Sequence, residues 1–154
     1  MFQSLNLSFE SMDNDSEMPN RVKQFLGSEY SALYFYLWRP FLQHVLNNMT
    51  TRQLGDVHSM PSSVTTRAQN ALDSSIKLVA TIRTWPLINW FSLRQSLMAT
   101  ILVVAASRTI EDWVLEEELT DTLDGATEIF ARTSKTSETA RRALRLISKI
   151  RASV

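Results

Sequence analysis

The sequence predicts an all-α fold, an irregular bundle of about five helices with a proline-kinked aromatic central helix, and three observations carry that reading. Apolar residues recur at three and four positions over most of the chain, the period of a helix with one buried face. Glycine and proline are scarce, three and four in 154 residues, against about 18 at average usage, which disfavours sandwiches, barrels and glycine-rich dinucleotide folds. No segment shows the strict apolar–polar alternation of a half-buried strand.

Residues 1–20 contain Glu10, Asp13, Asp15 and Glu17 and no lysine or arginine among the first twenty positions, with Phe2, Leu5, Leu7, Phe9 and Met12 at irregular spacing. They read as a flexible acidic leader, and the helical domain is expected over 21–152. The first helix starts near Asn20, which follows Pro19 and can cap free amides. Val22, Phe25, Leu26, Leu33 and Leu37 follow at helical spacing, and 32–38 is apolar all round, which predicts burial on more than one face and a central position. Pro40 removes the hydrogen bond to the Tyr36 carbonyl and restrains Arg39, so a kink or restart is expected there.

Gly55 and Pro61 lie in a polar stretch, 47–62, that reads as a loop. Val64, Ala68, Ala71, Leu72, Ile76, Val79 and Ile82 predict a second helix from Ser62 or Ser63 to about Thr84, ended by Trp85 and Pro86. A third, most apolar helix is expected from about Pro86 or Asn89 to Ser107 and should sit between the others. Leu115, Leu119, Leu123, Ala126 and Phe130 share one stripe of a fourth helix over about 109–133, with Gly125 as its weak point. The last is capped near Ser137 and buries Ala140, Leu144 and Ile147.

The absence of cysteine excludes disulfides, thiolate metal sites and a cysteine nucleophile. The only histidines are His44 and His58, and no serine-hydrolase elbow, zincin or Walker sequence is present. No enzyme activity, metal or cofactor is therefore expected. Sixteen basic residues balance sixteen acidic ones, so bulk charge draws the chain to neither nucleic acid nor anionic membrane. The longest apolar run, 97–106, is about half of what a bilayer requires and reads as a core helix rather than a membrane span.

Three local features remain. Over 111–128 lie eight carboxylates and no base. Asp121, Asp124 and Glu128 share a helical face, as in the aspartate-rich helices of isoprenoid synthases, but no second ligand cluster exists to face them, so a solvated surface is the expectation. Arg141, Arg142, Arg145 and Lys149 form a basic stripe on the last helix. It is a candidate contact face, expected to meet the acidic fourth helix or solvent before a phosphate. Tyr34, Tyr36, Trp38 and Trp90 are candidate lining for an apolar ligand cavity, weighed against ordinary core.

Tyr34-Phe35-Tyr36-Leu37-Trp38-Arg39-Pro40-Phe41-Leu42 resembles the aromatic, arginine-proline-phenylalanine helix of the regulatory middle-homology region of fungal zinc-cluster transcription factors. The helix around 71–76, the apolar helix ending at 102–106 and the serine-led end of the chain follow in the same order, so the resemblance covers about residues 21–150. It implies an all-helical domain that regulates transcription in the nucleus through protein contacts, self-association or a small apolar ligand. Arg39, Pro40 and Phe41 match the family motif, and their expected role is architectural. The family's DNA-reading module is a six-cysteine cluster, which this sequence lacks, so direct DNA binding is not expected of it. The chain corresponds to the latter part of the family's domain, which predicts uncovered apolar surface on the 30–46 helix. The alternative is a stand-alone helical small-molecule-binding protein or an isoprenoid-type enzyme.

Overall fold

The structure, a computed structural model, describes residues 20–51 and 60–153; the acidic leader lies outside the described residues, apart from Asn20. Among the described residues, five helices make an all-α bundle: α1 (Asn20–Thr51), α2 (Ser62–Arg83), α3 (Trp90–Thr109), α4 (Glu116–Thr133) and α5 (Glu138–Arg151). No strand occurs among the described residues. The α2 helix packs against α1, α3 and α4, and α3 also meets α1 and α4, so these two hold the middle. The main partners of α1 are α2 and α3, and the main partner of α5 is α4.

Phe35, Leu42, Leu78, Ile82, Ile129, Phe130 and Ile147 are fully buried and draw the core from four helices. Burial of each such side chain stabilises by about 1.5–3 kcal/mol. The α3 helix is long and apolar enough to cross a membrane, the one such helix among the described residues, yet in the bundle it buries ten residues, including the polar Ser92, Gln95, Ser96 and Thr100. Ser96 and Thr100 donate to the carbonyls of Ser92 and Ser96 at 2.9 and 2.7 Å. Ser75 of α2 does the same to Ala71 at 2.7 Å. These hydroxyls are thus satisfied within their own helices and leave short side chains where helices approach.

Helix ends follow local chemistry. The Asn89 side chain accepts from the Ser92 amide at 2.8 Å and starts α3, and Ser137 accepts from the Ala140 amide at 3.3 Å and starts α5. The fourth helix begins at Glu116 rather than near 109. After Thr109 the backbone turns extended at Ile110 and left-handed at Asp112, whose φ is 64°, a conformation aspartate adopts more readily than most residues. The Leu115 amide is then taken by the Glu118 carboxylate at 3.0 Å, and Glu116, Glu117 and Glu118 crowd the positive end of the new helix.

Pro40 and Gly125 both lie inside helices. The first helix does not restart at Pro40: α1 continues through it to Thr51, into the stretch read as loop. Pro40 is exposed, on the outer side of a helix where carbonyls already lean toward water, so the Tyr36 carbonyl that it deprives is not stranded in the core. Gly125, read as a weak point, is buried against α2; a Cβ there would stand 3.2 Å from Val79 Cγ1 and 3.5 Å from Arg83 Cδ. The missing side chain sets how closely α4 lies on α2.

Candidate interaction surface

The inner side of α1 is conventional. Ala32, Phe35, Leu42, Val45 and Leu46 are buried, with Trp38, Phe41 and Met49 packed beside them. Phe41 and Trp38 lie 5.9 Å apart, and the Arg67 guanidinium of α2 sits 5.0 Å from the Phe41 centroid and 5.9 Å from that of Trp38. This cation–π clamp joins the two helices beside Arg39 and Pro40. Arg39 reaches within its own helix: with the Gln43 amide turned so that its oxygen faces Arg39, that oxygen accepts from Nη2 and Nε at 3.2 and 3.3 Å. Arg39, Pro40 and Phe41 are thus a local brace, an exposed proline and an anchor.

The outer side of α1 corrects the expectation of burial on more than one face. Leu33 is 64% exposed and Leu37 55%, with Tyr36, Val22 and Leu26 also exposed. At 100° per residue, Val22, Leu26, Leu33 and Leu37 fall within an arc of about 60°, roughly 160° from the centre of the buried set. One helix therefore carries two apolar faces, and the bundle covers one of them. A second apolar lip lies where α2 turns into α3: Leu87 is 85% and Trp90 71% exposed, with Phe91 beside them in an edge-on ring contact at 6.0 Å from Trp90.

The proposed cavity aromatics are not brought together. The Tyr34 ring lies 4.6 Å from that of Tyr30, tilted by 41°, and the Tyr34 hydrogen bond followed by burial raises the Tyr30 phenol above its ordinary value. Tyr36 touches Phe35 on the exposed side. Two residues on, Trp38 stands about 200° around the helix, toward the core. Trp90 lies on the surface of α3. The Trp38 indole N–H is buried without a hydrogen-bond partner.

An open surface groove is lined by Ile76 of α2 and by Glu116, Glu117, Glu118, Thr120, Asp121 and Asp124 of α4. Arg83 of α2 donates to Glu128 at 2.7 Å and to Asp121 at 3.3 Å. The Glu128 hydrogen bond, then its charge, holds the Arg83 guanidinium in its charged form beyond the ordinary range. Asp124 pairs with Arg151 of α5. Arg132 donates to the carbonyls of Arg83, at 2.8 Å, and Trp85, closing the end of α2. Asp121, Asp124 and Glu128 are thus part-exposed structural ion pairs, not ligands converging on a cavity. Among the described residues, no three histidines or carboxylates are grouped to hold a metal.

The basic stripe divides. Arg151 carries the link to α4, while Arg141, Arg142 and Arg145 converge on Glu138 of their own helix at 2.9, 3.2 and 3.5 Å. Lys149 is exposed. The expected pairing of this stripe with α4 is therefore made by a neighbour of the four named residues. The arginine clamp over Phe41 and the Arg132 cap had no sequence signal, because both depend on which helices become neighbours. The outer stripe of α1 did have one: a helix apolar all round needs more cover than a small bundle supplies. No protein-family model, curated protein or solved structure matches this chain.

Proposed function

We propose that this chain is a helical regulatory domain of the fungal transcription-factor type, without the zinc-cluster DNA-binding module, that acts in the nucleus through protein contacts. The observation that carries the reading is the apolar outer face of α1, with Leu33 and Leu37 more than half exposed. A row of exposed large apolar side chains on one face of a folded domain supports a contact site. The Arg39-Pro40-Phe41 motif supports the same reading by resemblance, since it anchors the helix that carries the face. A ligand-binding protein is less well supported, because Tyr36 and Trp38 stand on opposite sides of α1.

The test is a transcription reporter driven by the chain fused to an unrelated DNA-binding module in a fungal cell. Output is expected to move several-fold from that of the module alone. Leu33→Glu with Leu37→Glu is expected to return it to the module's level with helicity unchanged. A fused wild-type chain that leaves the reporter unmoved refutes the reading.

A further inference from the structure

The connection between α2 and α3 carries the two most exposed large apolar side chains among the described residues, Leu87 at 85% and Trp90 at 71%, with Phe91 exposed beside them. Polar bonds fix this turn from the protein side. Arg132 donates to the carbonyls of Arg83, at 2.8 Å, and Trp85. The Trp85 amide donates to the Ile82 carbonyl at 3.1 Å, and the Asn89 side chain accepts from the Ser92 amide at 2.8 Å. Pro86 has no amide to satisfy. The apolar side chains thus project from a backbone whose flanking polar groups are already bonded. That lowers the cost of bringing the turn to a lipid interface, where an unmet amide or carbonyl is expensive.

Charge around the turn has one sign. Arg94 follows Trp90 by one helical turn on the same side of α3, Arg132 is bonded to the turn itself, and Lys135 follows in the connection to α5; all three are exposed. No aspartate or glutamate occurs over 84–110 or 129–137. Glu128, one turn before Arg132, is taken up by Arg83 at 2.7 Å. Glu138, which opens α5, is taken up by Arg141, Arg142 and Arg145. The chain as a whole is neutral, so attraction of an anionic surface is local rather than global.

We propose that this turn is a reversible membrane-surface anchor. Leu87, Trp90 and Phe91 enter the interface of an anionic bilayer to a depth of about 5–10 Å, and Arg94, Arg132 and Lys135 meet the anionic headgroups. Tryptophan suits that depth because its ring is apolar while its indole N–H bonds to headgroups. Two features favour lipid over a protein partner. A bilayer needs no matching pocket for a side chain as protruding as Leu87, and its surface supplies the counter-charge that this end of the bundle lacks. The contact is reversible because one turn buries far less apolar surface than a spanning helix.

The test is flotation of the whole chain with vesicles of phosphatidylcholine alone and of equimolar phosphatidylcholine and phosphatidylserine. The wild type is expected to bind the anionic vesicles about tenfold more tightly at low salt and to be released as salt rises. Leu87→Ser with Trp90→Ser lowers the association by about tenfold or more, with helicity unchanged because both side chains already face water. Arg94→Gln with Lys135→Gln abolishes the preference for phosphatidylserine and keeps the weaker association with neutral lipid. Lipids brominated in their acyl chains quench tryptophan emission in the wild type and much less in Trp90→Phe.

A wild type that floats with neither vesicle overturns the proposal and leaves the turn to a protein partner. So does a Leu87 and Trp90 variant that floats as the wild type does, because cations or another surface then do the binding. Leu33→Glu with Leu37→Glu is expected to float normally; its release would make the outer face of α1 the lipid contact and overturn the proposal as well. Flotation and the reporter read different surfaces, so either reading can fail alone.

Discussion

Helices α1 and α5 stand at opposite ends of the packing sequence, and they finish their outer faces in opposite ways. The α5 helix buries Ala140, Ala143 and Ile147 and turns Glu138, Arg141, Arg142 and Arg145 outward, with Leu146 as an isolated apolar side chain. This is what a terminal helix does when water is its last neighbour. The α1 helix buries Phe35 and Leu42 on one side and presents Leu33 and Leu37 on the other. Placed beside α5, α1 is dressed as an interior helix at an exterior position. The difference separates a helix whose outer face is charged from one whose outer face stays apolar.

Three measurements sharpen that contrast. The largest effect lies on the inner face of α1. Phe35→Ala empties a fully buried site and is expected to cost about 3–5 kcal/mol in denaturant unfolding, while Leu33→Ala, close by in sequence but on the outer face, stays within about 0.5 kcal/mol in dilute solution. Equal losses would mean that the outer face is packed within the monomer. Next comes the joint that attaches the α4–α5 pair to the rest. Gly125→Leu drives a side chain into Val79, 3.2 Å from where its Cβ would stand, and is expected to destabilise by about 1–3 kcal/mol. An unchanged unfolding midpoint would show that α4 can shift away from α2 freely. The smallest is Ser137→Ala, which removes the cap accepting from Ala140 and costs about 1 kcal/mol. Because α5 relies on its own cap and on α4, amide exchange should rise in α5 while the protection of α1 is unchanged.

Much of the architecture was legible because it is local. The stretches around Leu72, Val103 and Ile147 announce helices by spacing alone, and Asn89 and Ser137 mark starts that need only one side chain and one amide a few residues on. The start of α4 was not legible, because a single left-handed aspartate, Asp112, interrupts a pattern whose composition runs on smoothly. The candidate site was legible in part. That 32–38 is too apolar for a surface helix is evident from the residues; which of its sides goes uncovered is not.

By itself, the sequence determined the helical class of the fold, the limits of the second and last helices, the exclusion of thiol chemistry and the surplus of apolar surface on the first helix. Each of these depends on side-chain identity and on residues within a turn or two. Only the tertiary structure decided that Arg67 lies over Phe41, that Arg83 and Arg151 take up the carboxylates of α4, that Gly125 is a point of close approach, and that Leu33 and Leu37 face outward. Those outcomes depend on distances between residues far apart in the chain, which are set when whole helices choose neighbours to bury the most surface, and periodicity within one helix carries no information about that choice.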